Sequence, residues 1–382
     1  MSNPRPNLNN FLNWYTERNV KTRREMKTKA LECWQPIVKE IVDYVKSTDD
    51  RFASLRTFPT GSYYERAKAK EPNEFDLMLV MEDLPVLPIK PCDMSLNEVM
   101  FPIFFLCLGF VRVSINNEAN RLKWKRDSCL TQEMLNASQV KAVLRRLVGE
   151  AIVKLGFNPR SVAVKSHGPA ITLYITNTND GTKYSVDLTL AIKFIDWPDE
   201  AIEWITRRPG PSLGWPNSLL LQEIRDGGCH LVAKQPKGDN VPEDENGIFW
   251  RFSFSAAEKK LFLRGGDGEA SSCRKQILRI LKALREELRL HPLTSYHLKT
   301  ILLHECEAYP HPNQWSYDSL SERFLSFLQR LEDSLKQFNC PHYFITHLNL
   351  FEFFGRQRCD ELAKKIKEII LHPEEVLINL IK

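Results

Sequence analysis

The chain has 382 residues, which at roughly 150 residues per domain suggests two domains or one domain with two lobes. Hydrophobic residues at 43% and charged residues at 26% are ordinary globular values and argue against a mostly disordered chain. Lys and Arg number 53 against 48 Asp and Glu, a net charge of +5; so mild an excess does not establish nucleic-acid binding, and its distribution has to decide. The apolar run Val99 to Val111 is broken by Pro102 and Gly109 and falls short of the ~20 residues that span a bilayer. Met1-Ser2-Asn3-Pro4-Arg5-Pro6 lacks the apolar core of a secretory signal. Nine cysteines, an odd number with no CxxC pair, read as reduced thiols in a cytoplasmic protein without a membrane partner.

From Phe11 to about Lys46, apolar residues at three- and four-residue steps (Trp14, Val20, Ala30, Trp34, Ile37, Ile41, Val45) predict a helix. Its middle carries Arg18, Lys21, Arg23, Arg24, Lys27 and Lys29 against the single acid Glu25. Lys21, Arg24 and Lys27 follow at three-residue steps and share one broad face. Strands are expected at Phe75–Met81 and Leu106–Ile115. Two more, Ala170–Ile175 and Tyr184–Leu190, should form a hairpin around the polar turn Asn177–Gly181. A helix is expected from about Gln132 to Leu155, and a polar loop from Pro236 to Gly247. Beyond Phe254 the period is helical, with helices near 273–290, 294–308, 316–338 and 357–371. The chain thus divides into a mixed α/β part, about 1–258, and a helical part, about 259–382.

The chemistry concentrates in Thr60-Gly61-Ser62-Tyr63-Tyr64-Glu65, in Glu74-Phe75-Asp76 and in the distant Asp187. Two carboxylates two residues apart on a strand project from the same face. Asp187, an acid between Val186 and Leu188 in an apolar strand, would point into the same space, and buried charges are rare unless paired or metal-bound. Three converging carboxylates suit Mg²⁺, which takes oxygen ligands and substrate phosphates. A Gly-Ser turn ahead of the strand offers backbone N–H groups and a hydroxyl to a phosphate. Singly, each feature also describes a polar outer face; in this order they form the arrangement of nucleotidyltransferases.

These residues resemble the cyclic GMP-AMP synthase and cGAS-like receptor family, nucleotidyltransferases of the Mab-21 type. The resemblance continues through Ser185–Ala191, His230–Lys234, Trp250–Ser255 and Ser295–Thr300. It implies an α+β, bilobed enzyme, with a nucleotidyltransferase core that includes a long N-terminal spine helix, and a C-terminal helical lobe. It further implies that Glu74, Asp76 and Asp187 are catalytic and hold two Mg²⁺ ions, with Mn²⁺ as an alternative. By the family pattern Ser62, Lys282, Ser295 and Lys299 hold the donor triphosphate and Tyr296 stacks on a base. Thr60, Arg251, Ser253 and Glu258 contact the acceptor nucleotide, with Lys234 close by. Without the resemblance, Lys282 would read as a solvated helix lysine.

The interval Ala256–Cys273 contains no His and one Cys, so it lacks the zinc-binding insertion of the synthase proper, and no zinc is expected. That implies a zinc-less family member. The expected function is synthesis of a cyclic GMP-AMP type messenger from ATP and GTP in innate immune sensing. Double-stranded RNA is the expected activator ahead of DNA, and an oligomer formed on the ligand is compatible with it. The basic helix, through Lys21, Arg24 and Lys27, matches the family's duplex-facing spine. A catalytically silent binding module is the rival reading.

Overall fold

The computed structural model describes residues 6–20, 24–61, 73–89, 108–167, 170–207, 215–236, 247–264 and 272–380. Expectations that rest on Lys21, on Ser62 and on residues 237–246 lie outside them.

The segment expected as one helix forms α1 (Pro6–Tyr15), a π-helical turn at Thr16–Val20, and α2 (Arg24–Thr48). Thr16 supplies a local reason for the break. Its hydroxyl donates to the Leu12 carbonyl at 2.7 Å, a bond that bends helices, and accepts from the Gln276 amide at 3.0 Å. The two helices then serve different neighbours. Asn9 on α1 donates to the Asp318 carbonyl at 2.5 Å and accepts the Ser321 N–H at 2.6 Å, tying α1 to the C-terminal helices. On α2, Ala30, Trp34, Val38, Ile41 and Val45 form a buried stripe, and the Trp34 ring lies 5.0 Å from that of Phe75.

After α2 come β1 (Leu55–Thr60), β2 (Glu74–Met81), β3 (Val86–Ile89), β4 (Phe110–Ile115), α3 (Glu118–Trp124), β5 (Leu130–Thr131), β6 (Met134–Leu135) and α4 (Ala137–Lys154). Next are β7 (Val162–His167), β8 (Ala170–Thr176), β9 (Lys183–Phe194), α5 (Ile202–Thr206), α6 (Ser218–Asp226), β10 (Cys229–Val232) and β11 (Phe249–Ser253). Among the described residues these strands form one eleven-stranded sheet in the order β1-β2-β9-β10-β11-β4-β6-β5, with β3 on β4, β8 on β9 and β7 on β8. Only β2 and β9 run parallel, Asp76 opposite Asp187. The β8–β9 hairpin turns through Gly181 at φ +72° as its spacing predicts. The helix expected from Gln132 starts later, at Ala137, because Asn136 caps it by accepting the Gln139 N–H at 3.0 Å. Gln132 and Glu133 form instead the positive-φ turn of the β5–β6 pair.

The remaining helices are α7 (Ser255–Arg264), α8 (Arg274–Glu287), α9 (Ser295–Ala308), α10 (Leu320–Lys336), α11 (Arg356–Leu371) and α12 (Pro373–Asn379). The molecule is thus bilobed α+β, a mixed sheet with flanking helices and a helical C-terminal part. No helix among the described residues is long and apolar enough to cross a membrane. The cysteines at 33, 129, 229, 273, 306, 340 and 359 are all free.

Candidate active site

A cavity of about 700 Å³ opens between one face of the sheet and the helices beyond it. The sheet wall consists of Thr60 and Gly61 at the end of β1, Glu74 and Asp76 at the start of β2, Lys234 after β10, and Arg251 and Ser253 on β11. Glu258 on α7, Lys282 on α8, and Ser295, Tyr296 and Lys299 on α9 form the opposite wall. Twelve of the fourteen catalytic and nucleotide-binding candidates read from the sequence therefore line one space. Ser62 lies outside the described residues, and Asp187 stands beside Asp76 in register without lining the cavity itself.

Pleating explains the acids. Glu74 and Asp76 project from one face of β2 and both are exposed, whereas Phe75, Leu77 and Leu79 point the other way into the core. Parallel pairing puts Asp187 on that same face of β9, where it is half-buried and accepts from the Thr172 hydroxyl at 2.6 Å. Gly61 adopts φ +76°, and a Cβ there would collide with the Asp76 carboxylate, so only glycine lets the β1 end pass this close. Three carboxylates on adjacent strands, with this cradle around Asp76, make an all-oxygen donor set of the kind a hard divalent cation takes. Among the described residues no three His, Cys, Asp or Glu side chains are drawn together into a ligand cluster. The donor set fits by face and register, with Asp187 still committed to Thr172.

The helical wall is already paired. Lys299 meets Glu258 at 2.9 Å, and both side chains are buried. Lys299 was expected on a triphosphate and Glu258 on an acceptor nucleotide; here each is the other's partner. Lys282 is buried on α8. One turn along that helix, Arg285 donates to the Leu293 carbonyl at 3.3 Å. Burial lowers the Arg285 pKa and the charge of Glu74 across the cleft acts against that shift. Ser295 opens α9, so the N-terminus of a 14-residue helix faces the cavity, a polarity that favours anions. The Tyr296 hydroxyl lies 2.7 Å from His342 Nε2. Ser253 and Ser255 approach at 3.1 Å.

Sequence reasoning missed Arg285, His342, Asn349 and Phe353. The last two line the cavity, and Phe353 is 62% exposed at it. Residues 339–355 hold no helix or strand, so no periodicity points to them. A signal was available only in composition: polar His342 and Asn349 are set among Tyr343, Phe344, Phe351, Phe353 and Phe354. Of the basic-helix candidates, Arg24 opens α2 and Lys27 is half-buried on it. The neighbouring Lys29 pairs with Asp180 in the β8–β9 turn.

A mixed sheet that carries paired acids across a cleft from basic helices defines a transferase of the nucleotidyltransferase class. The chain matches the Mab-21 protein nucleotidyltransferase domain over residues 63–264 and the Mab-21 protein HhH/H2TH-like domain over residues 273–368, and it belongs to the Mab-21 family. It is 29% identical over 364 residues to cyclic GMP-AMP synthase of Mus musculus, covering 91% of this chain and 67% of that protein. Against cyclic GMP-AMP synthase of Sus scrofa it is 28% identical over 367 residues, 91% of this chain and 68% of that protein.

Proposed function

We propose that the chain joins ATP and GTP into a cyclic dinucleotide of the cyclic GMP-AMP type when a duplex nucleic acid, RNA ahead of DNA, engages its N-terminal basic helix. In this reading it acts as a cytoplasmic innate immune sensor, with residues 1–258 as core and 259–382 as helical lobe. The observation that carries it is the single cavity in which exposed acids of the sheet face buried lysines of the helices.

In this reading Glu74, Asp76 and Asp187 hold Mg²⁺ or Mn²⁺. Bound there, the ions supply Lewis-acid stabilisation of the transferred phosphoryl group and leaving pyrophosphate. Lys282 and the N-terminus of α9 at Ser295 neutralise the donor triphosphate as a point charge and an array of backbone N–H groups. Tyr296 offers a ring face to a base. Arg251 and Ser253 on β11, with Thr60, orient the acceptor so that its hydroxyl approaches the donor phosphorus. Lys299 reaches phosphate by exchanging its Glu258 partner, which frees that carboxylate for the acceptor.

The test incubates the purified chain with all four nucleoside triphosphates, Mg²⁺ or Mn²⁺, and RNA or DNA duplexes separately, and reads the products by mass. A cyclic dinucleotide of one adenosine and one guanosine, formed with RNA, is expected. Linear oligonucleotides would overturn the cyclic assignment, and equal stimulation by DNA would overturn the RNA preference. Nucleotide or duplex binding without any product would favour the silent module. Contacts of the basic helix would be to phosphates, so stimulation should fall steeply with salt. Lys21→Glu with Arg24→Glu is expected to remove it.

A further inference from the structure

His342 meets the wall of the cleft at Tyr296 and Phe254. It is 2% exposed, follows α10 in the helical part, and is not among the residues that line the cavity. Its ring is packed 5.7 Å from Phe254, 6.1 Å from Phe344 and 5.9 Å from Tyr296, centre to centre. Two backbone N–H groups, of Phe344 at 3.1 Å and Ile345 at 3.0 Å, both donate to Nδ1. A nitrogen that accepts cannot carry a proton, so in a neutral ring the proton sits on Nε2. Nε2 then donates to the Tyr296 hydroxyl 2.7 Å away. The phenol oxygen so accepts one bond, and its own proton remains to give. On the same wall the Glu258 carboxylate accepts from Lys299 at 2.9 Å.

We propose that His342 is a positioning residue of the cleft: as an Nε2–H imidazole it holds the Tyr296 hydroxyl, and so sets the Tyr296 ring for a base-bearing ligand. The proposal rests on the reading of the cleft as a nucleotide site. The direction of donation runs one way, from the backbone N–H groups of Phe344 and Ile345 to Nδ1 and from Nε2–H to the Tyr296 hydroxyl. Burial keeps the imidazole neutral, its pKa pushed down to about 3, and the charges of Arg251 and His304 act in the same direction. Burial, then the charge of Glu258, raises the pKa of the Tyr296 phenol, so its proton stays in place. Rotation of the Tyr296 ring out of this plane would take this acceptor from the buried imidazole N–H, which is costly.

The test has a spectroscopic and a kinetic arm, both on the full chain. In ¹⁵N-histidine NMR, the resonance that is lost in His342→Phe should show the neutral Nε2–H tautomer at pH 6, and Tyr296→Phe should shift its N–H proton. An Nδ1–H tautomer, or a signal that Tyr296→Phe leaves unmoved, would overturn the proposal. In turnover assays with ATP and GTP, His342→Phe should raise KM about tenfold, the cost of one buried bond, with a smaller change in kcat. His342→Gln, which keeps a donor, should recover most of that loss. A lowered melting temperature with KM unchanged in both variants would mean a structural role only and would overturn the proposal. Should the wild-type chain bind no nucleotide, the reading of the cleft fails, and the NMR arm alone decides on the bond between His342 and Tyr296.

Discussion

The two walls of the cavity hold their charges in opposite ways. On the sheet wall, Glu74 and Asp76 are exposed. On the helical wall, Glu258 and Lys299 are buried at 2.9 Å from each other, and Tyr296 is bonded to His342. An exposed acid stays in reach of water, so its side chain is cheap to redirect. A buried pair repays its desolvation only through its own contact, so separating it is expensive. The contrast assigns different tasks: the sheet wall presents its acids at the surface, and the helical wall holds a preset geometry that a ligand has to displace or use.

The largest expected effect breaks the sheet wall alone. Asp76→Asn should lower nucleotide transfer by about 10³-fold, the scale of losing a principal electrostatic contact in a reaction centre, while the melting temperature stays near wild type. Normal product yield from the folded variant would remove the proposed catalytic role of the sheet acids.

The helical wall should answer in stability instead. Lys299→Met leaves Glu258 buried without its cation and should cost about 3–5 kcal/mol in urea unfolding. Lys299→Met combined with Glu258→Gln should recover much of this. A single variant as stable as wild type would make the pair a surface-like contact and erase the contrast.

A third effect reads the buried imidazoles of the two walls. Burial pushes His342 down to about 3 and His230, under the sheet wall, to about 4. In the unfolded chain both take protons near roughly 6.5. Between these values the unfolded state binds more protons, so stability is complete above pH ~6.5 and is lost as pH falls toward the folded values. The slope should reach about 1.4 kcal/mol per pH unit for each histidine. Unfolding curves at pH 7, 6 and 5 should be less pH-dependent in His230→Gln than in wild type; an unchanged slope would contradict the buried neutral ring.

The smallest effect concerns Asp187. Thr172→Val removes its 2.6 Å donor and should cost about 1 kcal/mol of stability. An Asp187 released from Thr172 is expected to loosen the metal dependence of transfer by about tenfold, as orienting partners of metal ligands do. A Mg²⁺ or Mn²⁺ titration of activity checks it, and an unshifted midpoint would show that Thr172 does not orient Asp187.

Much of this contrast follows from how far apart in the chain each partner lies. Glu74 and Asp76 share a face because strand side chains alternate, which two residues suffice to state. The hairpin of β8 and β9 was equally local, with Gly181 at its turn. No strand was expected at β1, which contains Pro59; the proline is tolerated since β1 ends the strand order, where a missing N–H costs no ladder bond. The break after Tyr15 combines a local bond, Thr16 to the Leu12 carbonyl, with a distant one from Gln276 that no sequence window contains.

The sequence by itself determined the α+β division, the period of the later helices and the order of acids that marks a nucleotidyltransferase, because propensity and periodicity act between near neighbours. The tertiary structure alone decided that Asp187 stands opposite Asp76, that Lys299 is already bound to Glu258, and that His342 reaches Tyr296 from 46 residues away. Those pairings depend on strand register and helix docking. Their energies come from desolvation and hydrogen-bond geometry in a packed interior, which no window of sequence contains.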